Sequence, residues 1–125
     1  MKSLLITGGL GYIGSSLLNQ LNIEDYENIV IIDLDLFKTE KKIRQAINKN
    51  KNGRKIVIKK INFTNIIALD KIFSYYKINI VVHLGGLVGD PACSYNISLT
   101  NKINTVATNK IIDLSIKHKV AKFIF

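Results

Sequence analysis

Short apolar runs alternate along this chain with longer segments whose apolar residues recur at helical spacing. Ser3–Thr7, Ile29–Asp33, Lys55–Lys60, Ile80–Leu84 and Lys122–Phe125 are rich in Ile, Val, Leu or Phe. Such runs read as strands buried on both faces, the kind a parallel sheet requires. Between them, Tyr12–Leu21 sets Ile13, Leu17, Leu18 and Leu21 at helical spacing, and Lys38–Lys49 does the same with Ile43, Ala46 and Ile47. Asn65–Tyr75 offers Ile66, Leu69, Ile72 and Phe73. A longer helix, running roughly from Asn96 to His118, offers Ile103, Val106, Ala107, Ile111, Leu114 and Ile116. Asn52-Gly53 marks a turn. The predicted order is β-α-β-α-β-α-β-α-β.

Right-handed crossovers would place the helices on both faces of one sheet. The expected fold class is α/β, a doubly wound parallel sheet of strand order 3-2-1-4-5. Its ligand crevice would lie beyond the carboxyl ends of the strands, where the order reverses. The last residues, Phe123-Ile124-Phe125, stop inside an apolar run without a polar tail. A natural domain rarely leaves such a strand as its terminus. Residues 1–125 are therefore expected to be the front part of something longer, truncated after the fifth strand.

Composition narrows the classes. With 125 residues and 47% hydrophobic content the chain can bury a core and is not a disordered sequence. No apolar run approaches the ~20 residues of a membrane span, and the N-terminus is neither signal nor transit peptide. The single cysteine, Cys93, fits a reducing compartment, so the expected location is cytoplasmic. Lys and Arg number 18 against 9 Asp and Glu, a net charge of +9. Ten of these basic residues lie between Lys38 and Lys60, with Glu40 the only acid among them. Clustered lysines can be a nucleic-acid footprint. However, arginine is scarce, no aromatic interleaves the cluster, and Asn and Ile are also heavily used. That joint bias favours a solvated helix face in an AT-rich coding background.

The chemistry is concentrated at the first strand–helix junction. Leu4-Leu5-Ile6 runs directly into Thr7-Gly8-Gly9-Leu10-Gly11-Tyr12-Ile13-Gly14. Gly8 permits a tight turn, Gly11 lets backbone approach a phosphate, and Gly14 lets the helix pack closely on the strand. The helix N-terminus would then direct its free N–H groups at a pyrophosphate. Asp33 ends the second predicted strand, where a carboxylate would reach the adenosine ribose hydroxyls and repel a 2′-phosphate. The cofactor expected is NAD rather than NADP, although Lys38 and Lys41 follow closely enough to meet that phosphate. No Lys-Ser/Thr follows the glycines, which excludes an NTP-hydrolysing P-loop. Nothing in the pattern suggests a metal site.

The motif Thr-Gly-Gly-x-Gly-Tyr-Ile-Gly resembles the fingerprint of the extended short-chain dehydrogenase/reductase superfamily, in particular the NAD-dependent epimerase/dehydratase family that acts on nucleotide sugars. The similarity runs along the whole chain. Asn62-Phe63-Thr64-Asn65 falls where the family has Asp-φ-x-Asp (φ apolar), and the resemblance places Asn62 and Phe63 against the adenine. His83-Leu84-Gly85-Gly86 resembles the family's His-Leu-Ala-Ala, whose backbone lines the dinucleotide. Asn104-x-x-x-Thr108 with Ile111-Ile112 resembles the next helix, and Val120–Phe125 the fifth strand. By this resemblance Thr7, Gly8, Gly11, Tyr12, Ile13, Gly14, Asp33, Asn62, Phe63, Leu84, Gly85, Gly86 and Asn104 form the cofactor site.

The sequence departs from the family at several points. Asn62 and Asn65 replace aspartates, though Asn65 can still cap the third helix. The family's proton shuttle is a Tyr-x-x-x-Lys pair beyond the fifth strand, assisted by Ser or Thr. None of Tyr12, Tyr26, Tyr75, Tyr76 and Tyr95 has Lys four residues on, so no catalytic residue is assigned. His83 reads as a satisfied core histidine and Cys93 as no nucleophile. Asp90-Pro91-Ala92-Cys93 belongs to the loop after the fourth strand, which lies over the nicotinamide in the resembled family; equally, Gly89-Asp90-Pro91 is a plain turn. Asn104 is a poor helix former with a hydrogen-bonding task, either tying the helix to the sheet or joining a proton relay. The resemblance implies the NAD-binding portion of an epimerase or dehydratase. Its nucleotide-sugar substrate would meet a lobe outside this chain, and the full-length protein could be a homodimer. The alternatives are a non-catalytic dinucleotide-sensing or scaffold module and, third, a basic-patch nucleic-acid binder.

Overall fold

The computed structural model describes residues 1–36, 38–48 and 56–125. It contains β1 (Lys2–Thr7), α1 (Tyr12–Gln20), a 3-10 turn (Ile23–Asp25), β2 (Tyr26–Ile32), α2 (Glu40–Asn48) and β3 (Ile56–Lys59). These are followed by α3 (Ile66–Tyr76), β4 (Ile78–His83), α4 (Asp90–Tyr95), α5 (Ile97–Asn101), a π-helical turn (Lys102–Ala107), α6 (Thr108–Lys117) and β5 (Lys122–Ile124). The strands form one parallel sheet of order β3-β2-β1-β4-β5, as the alternation of elements predicts. The expected Asn52-Gly53 turn, the basic residues Lys49, Lys51, Arg54 and Lys55, and the side chains of Ala46 and Ile47 lie outside the described residues.

Side chains alternate across a strand, so the continuous apolar runs supply two cores. Leu4 and Ile6 of β1 join Ile29, Ile31, Val82, Leu18 of α1 and Ile43 of α2 on one face. Leu5 turns the other way, with Val30, Ile32, Val81, Leu69 and Phe73 of α3, and Ile111 and Leu114 of α6. Full burial of each such side chain contributes about 2 kcal/mol, so both helix layers are held tightly. β1 lies between β2 and β4, with Thr7 opposite Ile32 on one side and His83 on the other. The sheet's carboxyl edge therefore brings the loops after β1, β2 and β4 together.

Two expectations about the helices are corrected. The segment from Asp90 to Tyr95 is a short helix rather than a loop, with Pro91 in its first turn, where a missing N–H costs nothing. The long helix from Asn96 to His118 is divided by the π-helical turn, and Val106 and Ile116 point outward while Ala107, Ile111 and Leu114 are buried. Ile116 lies five residues after Ile111, about 140° around the helix, so one face cannot bury both. Ile13 is likewise exposed in the first turn of α1, above the sheet edge rather than against it.

Candidate functional site

At the end of β1 the Gly8 N–H donates to the Ile32 carbonyl (2.8 Å), and the chain then turns back so that the Gly11 N–H donates to the Gly8 carbonyl (3.1 Å). Gly8 takes φ +68°, the left-handed region that favours glycine, and a Cβ there would press on the backbone of Leu84 and Gly85. Gly14 has no room for a side chain. A Cβ would come within 2.5 Å of the Gly9 Cα and 2.6 Å of the Gly8 carbonyl oxygen. α1 therefore starts hard against the turn. Gly11 caps it without a side-chain bond, leaving its first N–H groups to an external acceptor. Tyr12 and Ile13 are exposed beside that end.

Asp33 is held facing this turn. Its Oδ2 accepts from the Leu10 N–H (2.9 Å) and its Oδ1 from the Asp35 N–H (2.8 Å). A carboxylate has roughly four lone-pair directions, so capacity remains for the two hydroxyls of a ribose. The Leu10 peptide is gripped at both ends, because the Thr39 hydroxyl donates to its carbonyl (2.6 Å). The β2–α2 loop is braced further by Asp35. Its Oδ1 accepts from the N–H groups of Thr39 (2.8 Å) and Glu40 (3.2 Å), and its Oδ2 pairs with Lys60 (3.1 Å). Glu40 binds Lys60 (2.7 Å) and Arg44 (2.8 Å). These bonds hold the carboxyls of Asp35 and Glu40 below their ordinary range and raise Lys60. Asp35, Thr39 and Lys60 escape a reading of the sequence for dinucleotide residues. The available signal was Thr39-Glu40 in the first turn of the helix predicted over Lys38–Lys49.

The second wall of the cleft follows β4. His83 is buried, with Nδ1 2.5 Å from the Thr7 hydroxyl and Nε2 2.8 Å from the Thr108 hydroxyl. Burial pushes its pKa down from 6.5 to about 4, so near neutral pH it is an uncharged bridge between β1, β4 and α6. The Thr7 hydroxyl also accepts from the Gly85 N–H (3.2 Å). Thr7 and His83 thus lie beneath the cleft floor, and Thr7 sets the path of the chain above it. Gly85 is small for a specific reason. The Phe63 ring, packed edge-on to His83, fills the space where a Cβ would sit, 2.6 Å from the nearest ring carbon.

Asn104 spends its side-chain amide on the backbone of one residue. Its Oδ1 accepts from the Leu87 N–H (2.8 Å) and its Nδ2 donates to the Leu87 carbonyl (2.7 Å). It ties the helix to the loop after β4, not to the sheet. A Cβ on Gly86 would stand 3.0 Å from the Asn104 Oδ1. Cys93 Sγ donates to the same Leu87 carbonyl (3.3 Å). Asn62 is exposed and its Oδ1 accepts from the Thr64 N–H (3.0 Å), while Asn65 caps α3 by accepting from the Ala68 N–H (3.1 Å). The segments after β1, β2, β3 and β4 therefore bring Gly8, Gly11, Gly14, Asp33, Phe63, Leu84 and Gly85 to one edge of the sheet.

A glycine turn with no room for a side chain at Gly8 or Gly14, closed by a strand-end carboxylate, is the geometry of a dinucleotide cradle. The model of the NAD dependent epimerase/dehydratase family matches residues 4–125. The chain belongs to this family. Its portion is the NAD-binding Rossmann part, and NAD is the family's cofactor. The bifunctional protein GAL10 of Kluyveromyces lactis is 35% identical over 99% of this chain and 18% of its own length. UDP-glucose 4-epimerase 2 of Arabidopsis thaliana is 32% identical over 89% of this chain and 33% of its own. Among solved structures, the UDP-Glc/GlcNAc 4-epimerase of Campylobacter jejuni superposes with a TM-score of 0.82 at 29% identity, covering 100% of this chain and 36% of that one. The chain thus spans about a third or less of the length of these relatives. Among the described residues no helix is long and apolar enough to cross a membrane.

Proposed function

We propose that residues 1–125 form a domain that holds NAD along the carboxyl edge of the sheet, in a protein that epimerises or dehydrates a nucleotide-linked sugar. The observation that carries this reading is the turn itself, in which Gly14 excludes any side chain and Gly8 takes a positive φ, while Asp33 is fixed onto the same turn through Leu10. Gly8, Gly11, Gly14 and the first N–H groups of α1, at Tyr12 and Ile13, would carry the pyrophosphate. Asp33 would accept from the adenosine ribose hydroxyls. Phe63 and the outward amide of Asn62 would border the adenine, with the backbone of Leu84, Gly85 and Gly86 along the dinucleotide. Thr7 and Asn104 would act as supports, the first under Gly85 and the second behind Leu87.

When bound, NAD supplies a hydride acceptor that later returns the hydride to the sugar. This chain's own residues bind and orient; no tyrosine–lysine proton shuttle is assigned among them. The UDP-glucose 4-epimerases among the relatives support a nucleoside-diphosphate sugar as the substrate class, and the sugar would meet residues outside this chain. A homodimer of the full-length protein and a cytoplasmic location belong to the same reading.

Calorimetric titration of the full-length protein should show NAD binding more tightly than NADP. Gly11→Val should abolish NAD binding with little loss of fold, because a Cβ there would meet only the Gly8 carbonyl oxygen, at 3.3 Å. Retained binding would show that the pyrophosphate lies elsewhere. Turnover of a panel of UDP-, GDP- and dTDP-sugars tests the activity, and NAD binding without any turnover would favour a sensing or scaffold module.

A further inference from the structure

We propose that Asp35 is a second determinant of cofactor choice, acting by occupying the donors that a 2′-phosphate would need at the β2–α2 loop. The inference rests on the reading that the adenosine ribose meets Asp33. Discrimination against NADP is ordinarily ascribed to the charge of that one carboxylate, with a nearby cation accepting the phosphate where NADP is used. Here the loop holds donors of the type a phosphate would use: the N–H groups of Thr39 and Glu40 and the ammonium of Lys60. All three are taken by the Asp35 carboxylate, at 2.8, 3.2 and 3.1 Å. The Asp35 side chain is only 7% exposed, so this is a closed arrangement rather than a passing surface contact.

The remaining charges point the same way. Glu40 takes the second bond of Lys60 and also holds Arg44. Two cations that could serve a phosphate are thereby paired with the chain's own acids. Asp35 is tied to the ribose carboxylate as well, since its N–H donates to the Asp33 Oδ1. An incoming 2′-phosphate would meet the Asp33 charge first. Behind it would lie the N–H groups of Thr39 and Glu40, already filled by a second carboxylate, and a Lys60 whose charge is shared between Asp35 and Glu40. Lys38 and Lys41 are exposed and pair with no acid among the described residues, so they are the competing route to NADP.

The two routes separate experimentally in the full-length protein, with dissociation constants for NAD and NADP measured by calorimetry. Asp33→Ser alone should weaken NAD yet leave NADP weak, because Asp35 still fills the donors. Adding Asp35→Asn should tighten NADP by about tenfold, the scale of one charge-assisted bond gained. A further Lys60→Met should remove that gain. If circular dichroism shows that Asp35→Asn disturbs the fold, Asp35→Ser keeps an acceptor for the Thr39 N–H and takes its place. A full NADP gain from Asp33→Ser alone would overturn the proposal in favour of Lys38 and Lys41. So would the absence of any gain on removing the Asp35 charge. Failure of the unmodified protein to bind NAD would overturn the site reading itself, and this inference with it.

Discussion

The two walls of the cleft are built from different chemistry. The wall formed by the β1 turn and the β2–α2 loop is ionic and half-exposed, with Asp33, Asp35, Glu40, Lys60 and Arg44 bracing one another and the main chain. The wall after β4 is neutral, made from Thr7, His83, Thr108, Phe63 and the Asn104 amide. In the first, the half-exposed Lys60 and Arg44 can exchange their bonds with water or a ligand, although the Asp35 carboxylate itself is closed on its donors. The second cannot, because its polar atoms are buried and each lost partner leaves an unmet desolvation penalty. The ionic wall is thus suited to discriminate, and the neutral one to hold the sheet and its loops in register.

Several measurements would break or sharpen this contrast. The largest effect is expected where the walls meet. Gly14→Val must displace the backbone of Gly8 and Gly9, against which its side chain would be driven. It should destabilise the protein by about 3 kcal/mol in urea unfolding and abolish NAD binding, the upper end of overpacking costs. A stable, NAD-competent variant would mean that α1 can slide away from the turn.

Next comes the neutral wall. His83→Leu removes a partner from two buried hydroxyls, leaving Thr7 only the bond from the Gly85 N–H, and should cost about 2 kcal/mol. It should also change the pH profile in a defined window. The folded pKa of His83, about 4, is below its ordinary 6.5, so as pH falls the unfolded chain binds the proton first. The stability of the unmodified protein should therefore decline from pH 6.5 toward 4, by at most about 3 kcal/mol, and His83→Leu should flatten that decline. The carboxyls of Asp35 and Glu40 are depressed from 3.8 and 4.5, so the ionic wall gives way only at lower pH, in both proteins. If His83→Leu left the slope between pH 6.5 and 4 intact, some other group would be its source.

The smallest effect tests whether the neutral wall extends into the loop. Asn104→Leu removes both bonds to Leu87 and should cost about 1 kcal/mol in thermal or urea unfolding. It should also speed amide hydrogen exchange at Leu87 while leaving His83 and its pH slope unchanged. A collapse of that slope would show that the loop clamp and the buried histidine form one unit.

Much of this protein was legible without coordinates, for local reasons. Runs of Ile, Val and Leu separated by helix-periodic segments specify a parallel sheet with two covered faces, and the observed strand order follows from right-handed crossovers. The glycine turn and the Asn65 cap depend on residues a few positions apart, so their chemistry is readable in one window. Tertiary structure decided the rest. Thr7 meets His83 across 76 positions and Asn104 meets Leu87 across 17. Periodicity tells which side chains turn inward but not which partner waits there. It marked His83 as buried without showing the two hydroxyls that satisfy it. It could not show that Gly85 is small to admit Phe63, or that Asp35 closes on Lys60. The break in the long helix was hidden for a related reason, since a π-helical turn shifts the helical phase without leaving a proline or glycine to announce it. Local patterns determined the scaffold, whereas the site depends on contacts that exist only once distant loops share one edge of the sheet.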